Sequence, residues 1–286
     1  MDSLEGLDTT SVPDYRAMMD LHGRGYLVVG AGRGMGRQTA HAISAHGGRV
    51  VCADIDPARA EAVAKEVGGV PVVGDARRAD DVQSMVERTV TELGSIDGVV
   101  DIVGMARYGA IVDTSEEDWD WVQETVVRHA FLVIRAAGRV MRQQRRGSLV
   151  FIASMNGISS APFHASYGVA KAGLSHLVKT AAWELRPFEV RVNAVAPGSI
   201  ASPRVAFTRG VDPEELADGK LASMGRTSDI AAAVLYLLTD LAGYVSGQTL
   251  AVDGAILAKN PFDMDEPPLP AGKAMGETTE GTHPTP

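Results

Sequence analysis

Residues 26–36 read Tyr-Leu-Val-Val-Gly-Ala-Gly-Arg-Gly-Met-Gly, and this stretch decides the fold. It begins with an apolar run that ends in a glycine, a pattern that predicts a short buried strand. Residues 34–46 then predict a helix, which the pair Gly47-Gly48 ends. A second strand is predicted at 49–54. The chain therefore places a strand, a glycine-rich turn, a helix and a second strand in direct succession.

The glycine-rich turn is suited to a dinucleotide. Glycines let the backbone turn tightly and approach a pyrophosphate at the helix N-terminus, where free N–H groups and the helix dipole favour anions. Asp54 ends the second predicted strand, where it can accept a hydrogen bond from a ribose 2′-hydroxyl and would repel a 2′-phosphate. The alternative is an ordinary tight turn with a solvated aspartate, and the order of strand, turn and helix argues against it. We therefore predict NAD as the cofactor.

A second motif lies far along the chain, where Tyr167 and Lys171 stand in Tyr-Gly-Val-Ala-Lys and Ser154 precedes the tyrosine by thirteen residues. Residues four apart on a helix share a face, so the Lys171 ammonium can lie beside the Tyr167 phenol. A neighbouring cation lowers the pKa of a phenol from its usual value near ~10. The phenol can then exchange a proton near neutral pH, and Ser154 can hold the oxygen that gains or loses it. The spacing alone is common on helices, and the glycine-rich turn is what makes it informative.

With both motifs in place, the chain resembles the short-chain dehydrogenase/reductase family over about residues 20–256. The glycine spacing matches the family's Thr-Gly-x-x-x-Gly-x-Gly, with Val29 in place of the threonine. Ser154, Tyr167 and Lys171 match its catalytic serine, tyrosine and lysine. Three further stretches match in order: Asp75-Ala76, residues 191–198 and residues 246–254.

The resemblance and the alternation of strands with helices predict a single doubly wound, Rossmann-type α/β domain with a mostly parallel seven-stranded sheet. Residues 1–20 are expected to be a polar lead-in, residues 21–258 the catalytic domain and residues 259–286 a flexible tail rich in Pro, Gly, Thr and acids. Residues 199–224 are expected to form a substrate lid. Further strands are predicted at 70–73, 98–103 and 148–153, and helices at 80–93, 115–145 and 164–187, the second of these ended by Gly147.

The site residues that the resemblance implies come from many separate turns. The catalytic residues are Ser154, Tyr167 and Lys171. The cofactor-binding residues are Gly30, Arg33, Gly34, Met35, Gly36, Asp54, Ile55, Asp75, Ala76, Ile102, Gly104, Tyr167, Lys171, Pro197, Gly198 and Ile200. Arg33 follows a position that is often basic in relatives that prefer NADP, but Asp54 opposes it and Ile55 supplies no second arginine.

Candidates for substrate contact are Met105, Met155, Phe163 and Phe207, which adjoin the motif residues; ordinary core packing is the alternative for each. His164 stands near the start of the active-site helix and is a further candidate. His129 is assigned to packing or to an interface. No group of His, Cys, Asp and Glu has the spacing of metal ligands, so no metal is expected.

The chain departs from the family in two places. The family's Asn-Asn-Ala-Gly is Asp101-Ile-Val-Gly104 here, so the second asparagine is replaced by Ile102. The family's asparagine on the next long helix, which organises a water-linked proton path to the lysine, is Val126 here. Asp101 is a candidate for a rewired path, although its side chain could instead tie strands together.

Composition limits the partners. The net charge of −9 argues against nucleic acid and anionic membranes as partners, and no apolar run approaches the ~18 residues of a membrane-spanning helix. Cys52 is the single cysteine and lies in a predicted buried strand, so no internal disulfide can form and a reducing cytoplasm is expected. The N-terminus lacks the pattern of a signal peptide. The resemblance implies a homotetramer assembled through the helices at 115–145 and 164–187.

The predicted function is hydride transfer between NAD(H) and a hydrophobic secondary alcohol or ketone. Tyr167 moves the hydroxyl proton, Lys171 lowers its pKa and binds the nicotinamide ribose, and Ser154 orients the substrate oxygen. One alternative is an NAD-binding scaffold or sensor with weak catalysis, because of Ile102 and Val126. The other is a reductase of carrier-linked 3-oxoacyl groups. That activity calls for a basic patch near the lid, where Arg204, Arg209 and Lys220 are the available cations.

Overall fold

The computed structural model describes residues 11–217, 221 and 224–258. Within them, seven strands pair in parallel into one sheet and two short strands form a separate pair. The strands are β1 (Gly25–Val29), β2 (Arg49–Asp54), β3 (Val70–Val73), β4 (Gly98–Asp101), β5 (Gly147–Ile152), β6 (Val190–Pro197), β7 (Ile200–Ala201), β8 (Gly225–Arg226) and β9 (Thr249–Val252). The sheet order β3-β2-β1-β4-β5-β6-β9 confirms the doubly wound fold.

Helices cover both faces of the sheet. They are α1 (Gly34–Ala45), α2 (Pro57–Val67), α3 (Ala79–Leu93), α4 (Glu116–Gln123), α5 (His129–Gln144), α6 (Ala165–Leu185), α7 (Pro203–Arg209), α8 (Pro213–Leu216) and α9 (Thr227–Leu238). Buried residues of α3, α5 and α6 pack with one face of the sheet, and those of α1, α2 and α9 pack with the other. Because both faces are covered, central strands such as β1 are buried along their whole length, which explains their unbroken apolar sequence.

Local sequence explains most of the helix ends. Asp56 caps α2 by accepting the N–H of Ala58 at 3.0 Å, and Pro57 occupies the first turn. Ser115 caps α4 in the same way. The prediction that Gly147 ends the long helix was wrong. Helix α5 ends at Gln144, and Arg145 adopts the left-handed conformation with φ of 55° that commonly follows a helix, so Gly147 is free to begin β5.

The predicted helix at 115–145 contains a π-helical turn, Glu124–Arg128, between α4 and α5. Turns of this kind are frequent at functional sites. Val126 lies in the turn, is fully buried and packs with Val122 and Ala170, while the partly buried Tyr167 contacts the same cluster. The position that departs from the family thus faces the active-site helix α6 with an apolar side chain.

The predicted lid at 199–224 contains β7, α7 and α8 among its described residues. Its residues 218–220, 222 and 223, residues 1–10 of the predicted lead-in and the predicted tail at 259–286 lie outside the part of the chain that the structure describes. In the described part, no helix is long and apolar enough to cross a membrane.

We expect Val126→Asn to destabilise the fold. The valine is fully buried among apolar side chains, so an amide there loses its water partners at a cost of about 1–3 kcal/mol. Val112→Asn is the matched control, because Val112 is 87% exposed. Thermal unfolding should show a lower Tm for Val126→Asn only. An unchanged Tm for that variant would mean that the amide finds a hydrogen-bond partner beside α6.

Candidate active site

The predicted site residues gather along one edge of the sheet. All seven strands are parallel, so the segments that follow their carboxyl ends lie on the same side. The glycine-rich turn follows β1, Asp54 ends β2, and Asp75-Ala76 follows β3. Ile102 and Gly104 follow β4, Ser154 follows β5, and the stretch from Pro197 to Ile200 begins at the end of β6. The fold therefore brings residues from six separate turns to one edge, as the sequence predicted.

The turn between β1 and α1 is shaped for a close approach. A Cβ on Gly36 would stand 2.0 Å from the carbonyl oxygen of Gly30, so only glycine fits there. Gly34 begins α1 with a positive φ of 57°. Arg33, which precedes the helix, makes no capping hydrogen bond with its side chain. The first N–H groups of α1 therefore face outward from a narrow cradle, an arrangement that fits the pyrophosphate of a dinucleotide.

Asp54 is held firmly beside this cradle. One carboxylate oxygen accepts the N–H of Gly32 at 2.9 Å, and the other accepts the N–H of Asp56 at 3.0 Å. Ile55 is 59% exposed next to it. The carboxylate is thus fixed at the place where the sequence predicts contact with the adenosine ribose.

Positive charge also reaches this region. Burial lowers the pKa of Arg33, and the nearby cations Arg59 and Arg204 lower it further, while Asp54 acts in the opposite sense. Arg59 itself pairs with Asp56 at 3.2 Å. The ribose end of the cradle therefore combines one fixed carboxylate with a group of arginines.

The remaining turns along this edge of the sheet differ in the side chains that they present. Asp75 is paired with Arg77 at 2.6 Å, which holds the pKa of its carboxyl below the usual value, and Ala76 beside it is buried. Ile102 packs against the core cluster on the α1 and α9 side of the sheet. Gly198 has no room for a side chain, because a Cβ there would stand 2.7 Å from the Cα of Asp253.

Ser154 and Tyr167 meet at the carboxyl end of β5. The Ser154 hydroxyl accepts the N–H of Asn156 at 3.1 Å and lies close enough to the Tyr167 phenol to lower its pKa. The short helical turn that follows Ser154 lies hard against α6, since a Cβ on Gly157 would stand 2.7 Å from the backbone of Lys171. Backbone packing thus fixes the serine on the tyrosine.

Lys171 lies one helical turn beyond Tyr167. Its side chain is 1% exposed, its Nζ donates to the carbonyl of Ile152 at 2.5 Å, and the same nitrogen lies 5.6 Å from the centre of the Tyr167 ring. Burial lowers the pKa of Lys171 to about 8, while the charge of Asp101 raises it. The predicted neighbourhood of Tyr167 and Lys171 is present in the structure.

The balance at Tyr167 differs from the one expected. Burial is the largest influence and raises its pKa to about 12, whereas the Ser154 hydrogen bond lowers it. The Lys171 ammonium is directed at the Ile152 carbonyl instead of the phenol oxygen. Among the influences that lower the pKa of Tyr167, the Ser154 hydroxyl is therefore the largest.

An aromatic wall stands beside the phenol. Residues Tyr108, Gly109, Phe163 and His164 line a shallow cavity of about 440 Å³. The rings of Tyr108 and His164 are 4.6 Å apart, and those of His164 and Tyr167 are 6.5 Å apart. The Gly109 N–H donates to the carbonyl of Phe163 at 3.1 Å, which joins the two segments. The rings of Tyr108, Phe163 and His164 together are called the aromatic wall.

The structure places the four substrate candidates differently. Phe163 belongs to the aromatic wall, and Met155 follows Ser154 directly. Met105 is 40% exposed in the segment after β4, and Phe207 is 89% exposed on α7. Sequence reasoning missed Tyr108, because its only signal was its closeness to the altered Asp101-Ile-Val-Gly104 motif.

Comparison with known proteins agrees with this geometry. The profile of a family described as enoyl-(acyl carrier protein) reductase matches residues 30–255. A 3-oxoacyl-[acyl-carrier-protein] reductase of Thermotoga maritima is 32% identical over 245 residues, which cover 84% of this chain and 100% of the relative. One of the same name from Staphylococcus aureus is 35% identical, over 80% of this chain and 96% of the relative. The chain belongs to the short-chain dehydrogenase/reductase family.

Solved structures of this family share the fold. A short-chain type dehydrogenase/reductase from Mycobacterium marinum is similar with a TM-score of 0.78 and 30% identity, over 85% of this chain and 98% of that one. A levodione reductase is similar with a TM-score of 0.77 and 28% identity, over 84% of this chain and 100% of that one. The protein is thus an oxidoreductase of a family that uses a nicotinamide cofactor.

Proposed function

We propose that this protein transfers a hydride between NAD(H) and a hydrophobic secondary alcohol or ketone. The observation that carries the proposal is the position of Ser154 and Lys171 beside Tyr167, on the same sheet edge as the glycine cradle. A proton-transfer group and a dinucleotide cradle at one edge are what alcohol oxidation and ketone reduction need.

The side chains divide the proton chemistry among them. Tyr167 gives its phenol proton to the ketone oxygen in reduction and takes the hydroxyl proton in oxidation. Ser154 holds that oxygen, and Lys171 stabilises the phenolate by its charge. The nicotinamide, when bound, supplies or accepts the hydride. Because burial raises the pKa of Tyr167 to about 12, oxidation draws on a phenolate that becomes more abundant as the pH rises.

The proposed substrate class rests on the aromatic wall. Tyr108 and Phe163 are 70% and 63% exposed beside the site, and together with His164 they offer a largely apolar surface to a ligand. A hydrophobic ketone would gain more binding free energy on this surface than a charged ketone would.

Reduction of 3-oxoacyl groups is the second candidate, and the names of the relatives favour it. It uses the same proton chemistry on a different ketone. The two candidates separate by assay, since a 3-oxoacyl thioester and simple hydrophobic ketones can be compared with the same enzyme.

The cofactor preference is proposed on the fixed position of Asp54. Its carboxylate is bound by two backbone N–H groups and cannot swing away from a 2′-phosphate without losing both. Arg33 and the arginines near it act in the opposite sense, because their positive charges would favour the 2′-phosphate of NADP.

Assembly into a homotetramer is proposed through α5 and α6. Phe131 on α5 is 46% exposed, and Val169 and Trp183 on α6 are 53% and 68% exposed. Large apolar side chains on two neighbouring helices suit a contact with a second copy of the chain.

Replacing the phenol tests the reaction. Tyr167→Phe should lower turnover by at least ~10²-fold, because it removes the positioned acid–base group. NADH should still bind, since the cradle is untouched. Turnover is measured as NADH formation at alkaline pH with a panel of hydrophobic secondary alcohols, and in reverse with ketones and a 3-oxoacyl thioester. Tyr236→Phe on α9 is the control and should keep full activity. Near-normal turnover in Tyr167→Phe would refute the assignment, and a wild type without turnover on the whole panel would favour the sensor.

Removing the Asp54 charge tests the cofactor. The wild type should prefer NAD, and Asp54→Ala should narrow the ratio of kcat/KM for NAD over NADP by at least about tenfold, which corresponds to about 1.4 kcal/mol. Asp54→Asn is a second variant, because it removes the charge but keeps one oxygen that can accept one of the two backbone N–H groups. It should narrow the ratio as well. A wild type that prefers NADP would show that the arginines outweigh Asp54.

The molar mass in solution tests the assembly. Light scattering at micromolar concentration should give four times the chain mass. Replacing the exposed Trp183 by Glu should lower that mass, because a charge would be buried in the contact. A wild type that has the mass of one chain contradicts the proposed tetramer.

A further inference from the structure

A buried acid–base pair lies behind Lys171 and has no role in the chemistry above. Asp101 is the last residue of β4, and His129 is the first residue of α5, directly after the π-helical turn. Both side chains are 1% exposed, and the His129 Nε2 lies 2.9 Å from the Asp101 Oδ2. The sequence assigned His129 to packing or to an interface, and its burial favours packing; it left open whether Asp101 serves a proton path or ties strands together.

The pair is poorly compensated by hydrogen bonds. One Asp101 oxygen accepts the N–H of Val103 at 3.1 Å. The other oxygen and both ring nitrogens of His129 make no hydrogen bond of good geometry with any described residue. The 2.9 Å distance between the two atoms lies within the range of an ion pair, although the ring does not point its N–H at the oxygen. Buried polar atoms are normally paired, so an interior carboxylate and imidazole left in this state call for a reason.

The pair stands close to the Lys171 ammonium. Asp101 pairs in register with Phe151, and the next residue, Ile152, is the one whose carbonyl accepts from Lys171. Gly104, three residues after Asp101, leaves the space that Lys171 uses, because a Cβ there would stand 2.8 Å from Nζ. The ammonium thus lies between the segment after β4 and the end of β5, on the side where Asp101 is buried.

Among the residues that the structure describes, few charged groups act on Lys171. Asp101 is the charged group whose field acts on it, and it raises the pKa of Lys171 against the lowering caused by burial. The Tyr167 ring centre lies 5.6 Å from the Lys171 Nζ on the same helix, and Tyr108 and Arg204 also act electrostatically on the phenol. From α4 and the π-helical turn, the apolar cluster around Val126 packs with α6, and the Gln123 amide donates to the carbonyl of Ser166 at 3.1 Å.

We infer that Asp101 is the buried counter-charge that keeps Lys171 protonated, and that His129 holds the Asp101 carboxylate in place. The Lys171 ammonium and the Asp101 carboxylate place one cation and one anion in the interior, which costs less than burying either charge alone. A fixed anion near Lys171 thus favours the charged form of the lysine where Val126 offers no polar group. Asp101 and His129 are positioning residues, because they act on the substrate only through Lys171 and Tyr167. In that last step the inference rests on the proposed function.

The ionisation of Lys171 can be measured without turnover. The chain has six lysines, Lys65, Lys171, Lys179, Lys220, Lys259 and Lys273, so the ¹³Cε signals of labelled lysine can be assigned one by one, Lys171 by its loss in Lys171→Met. The wild type should titrate near pH 8, as burial and Asp101 together predict. Asp101→Asn keeps the acceptor for Val103 but removes the charge, so the Lys171 pKa should fall by about one unit or more. His129→Gln should lower it in the same direction by less.

Asp97→Asn is the matched control. Asp97 is a largely buried aspartate directly before β4, at the opposite end of the strand from Asp101, and it pairs with Arg146 at 2.7 Å. Its replacement should leave the Lys171 titration unchanged, even where it lowers the Tm.

The enzyme assay then separates this inference from the proposed function. The pH at which alcohol oxidation reaches half its maximum should move upward in Asp101→Asn, because a less protonated Lys171 stabilises the Tyr167 phenolate less. An unchanged Lys171 titration in both Asp101→Asn and His129→Gln overturns the inference, even if Tyr167→Phe is inactive. A shifted titration together with full turnover in Tyr167→Phe supports the counter-charge and overturns the proposed function instead.

Discussion

Parallel pairing of the seven strands is the constraint on which the rest of the structure depends. It forces every strand to end at one edge, so a residue that follows any strand is delivered to the same side of the molecule. It also requires helices on both faces, which is why the strands are apolar on both sides and why polar chemistry is confined to their ends. The cradle, the fixed Asp54 carboxylate and the Ser154–Tyr167 pair are consequences of that one arrangement.

The buried end of β4 and position 126 are the two places where this chain departs from the sequence pattern of its family. An interior lysine needs an anion or a water path to remain charged. Here the helix turn opposite α6 is apolar at Val126, and a carboxylate stands behind the lysine at the end of β4. The counter-charge that we infer at Asp101 would let the proposed chemistry proceed with a valine at position 126.

Sequence alone could predict the elements and the shared edge, because those depend on local patterns. The bounds of β2 and β3 agree residue for residue with the apolar runs at 49–54 and 70–73. The short-range caps at Asp56 and Ser115 follow from side chains that bond their own turn. The π-helical turn, the contact of His129 with Asp101 and the place of Tyr108 could not be predicted in this way. Each depends on how residues far apart in the chain approach one another, and no periodic pattern records that approach.

The hydrogen bond from Gly109 to Phe163 has a mechanical consequence. It joins the segment after β4 to the residues that lead into α6, and Phe163 keeps a left-handed backbone with φ of 64° at the join. The segment that carries Tyr108 is therefore tied by this hydrogen bond to the residues that lead into the helix carrying Tyr167. Because the aromatic wall and the helix carrying Tyr167 are connected through this hydrogen bond, we expect the size of a bound ligand to influence the alignment of the phenol.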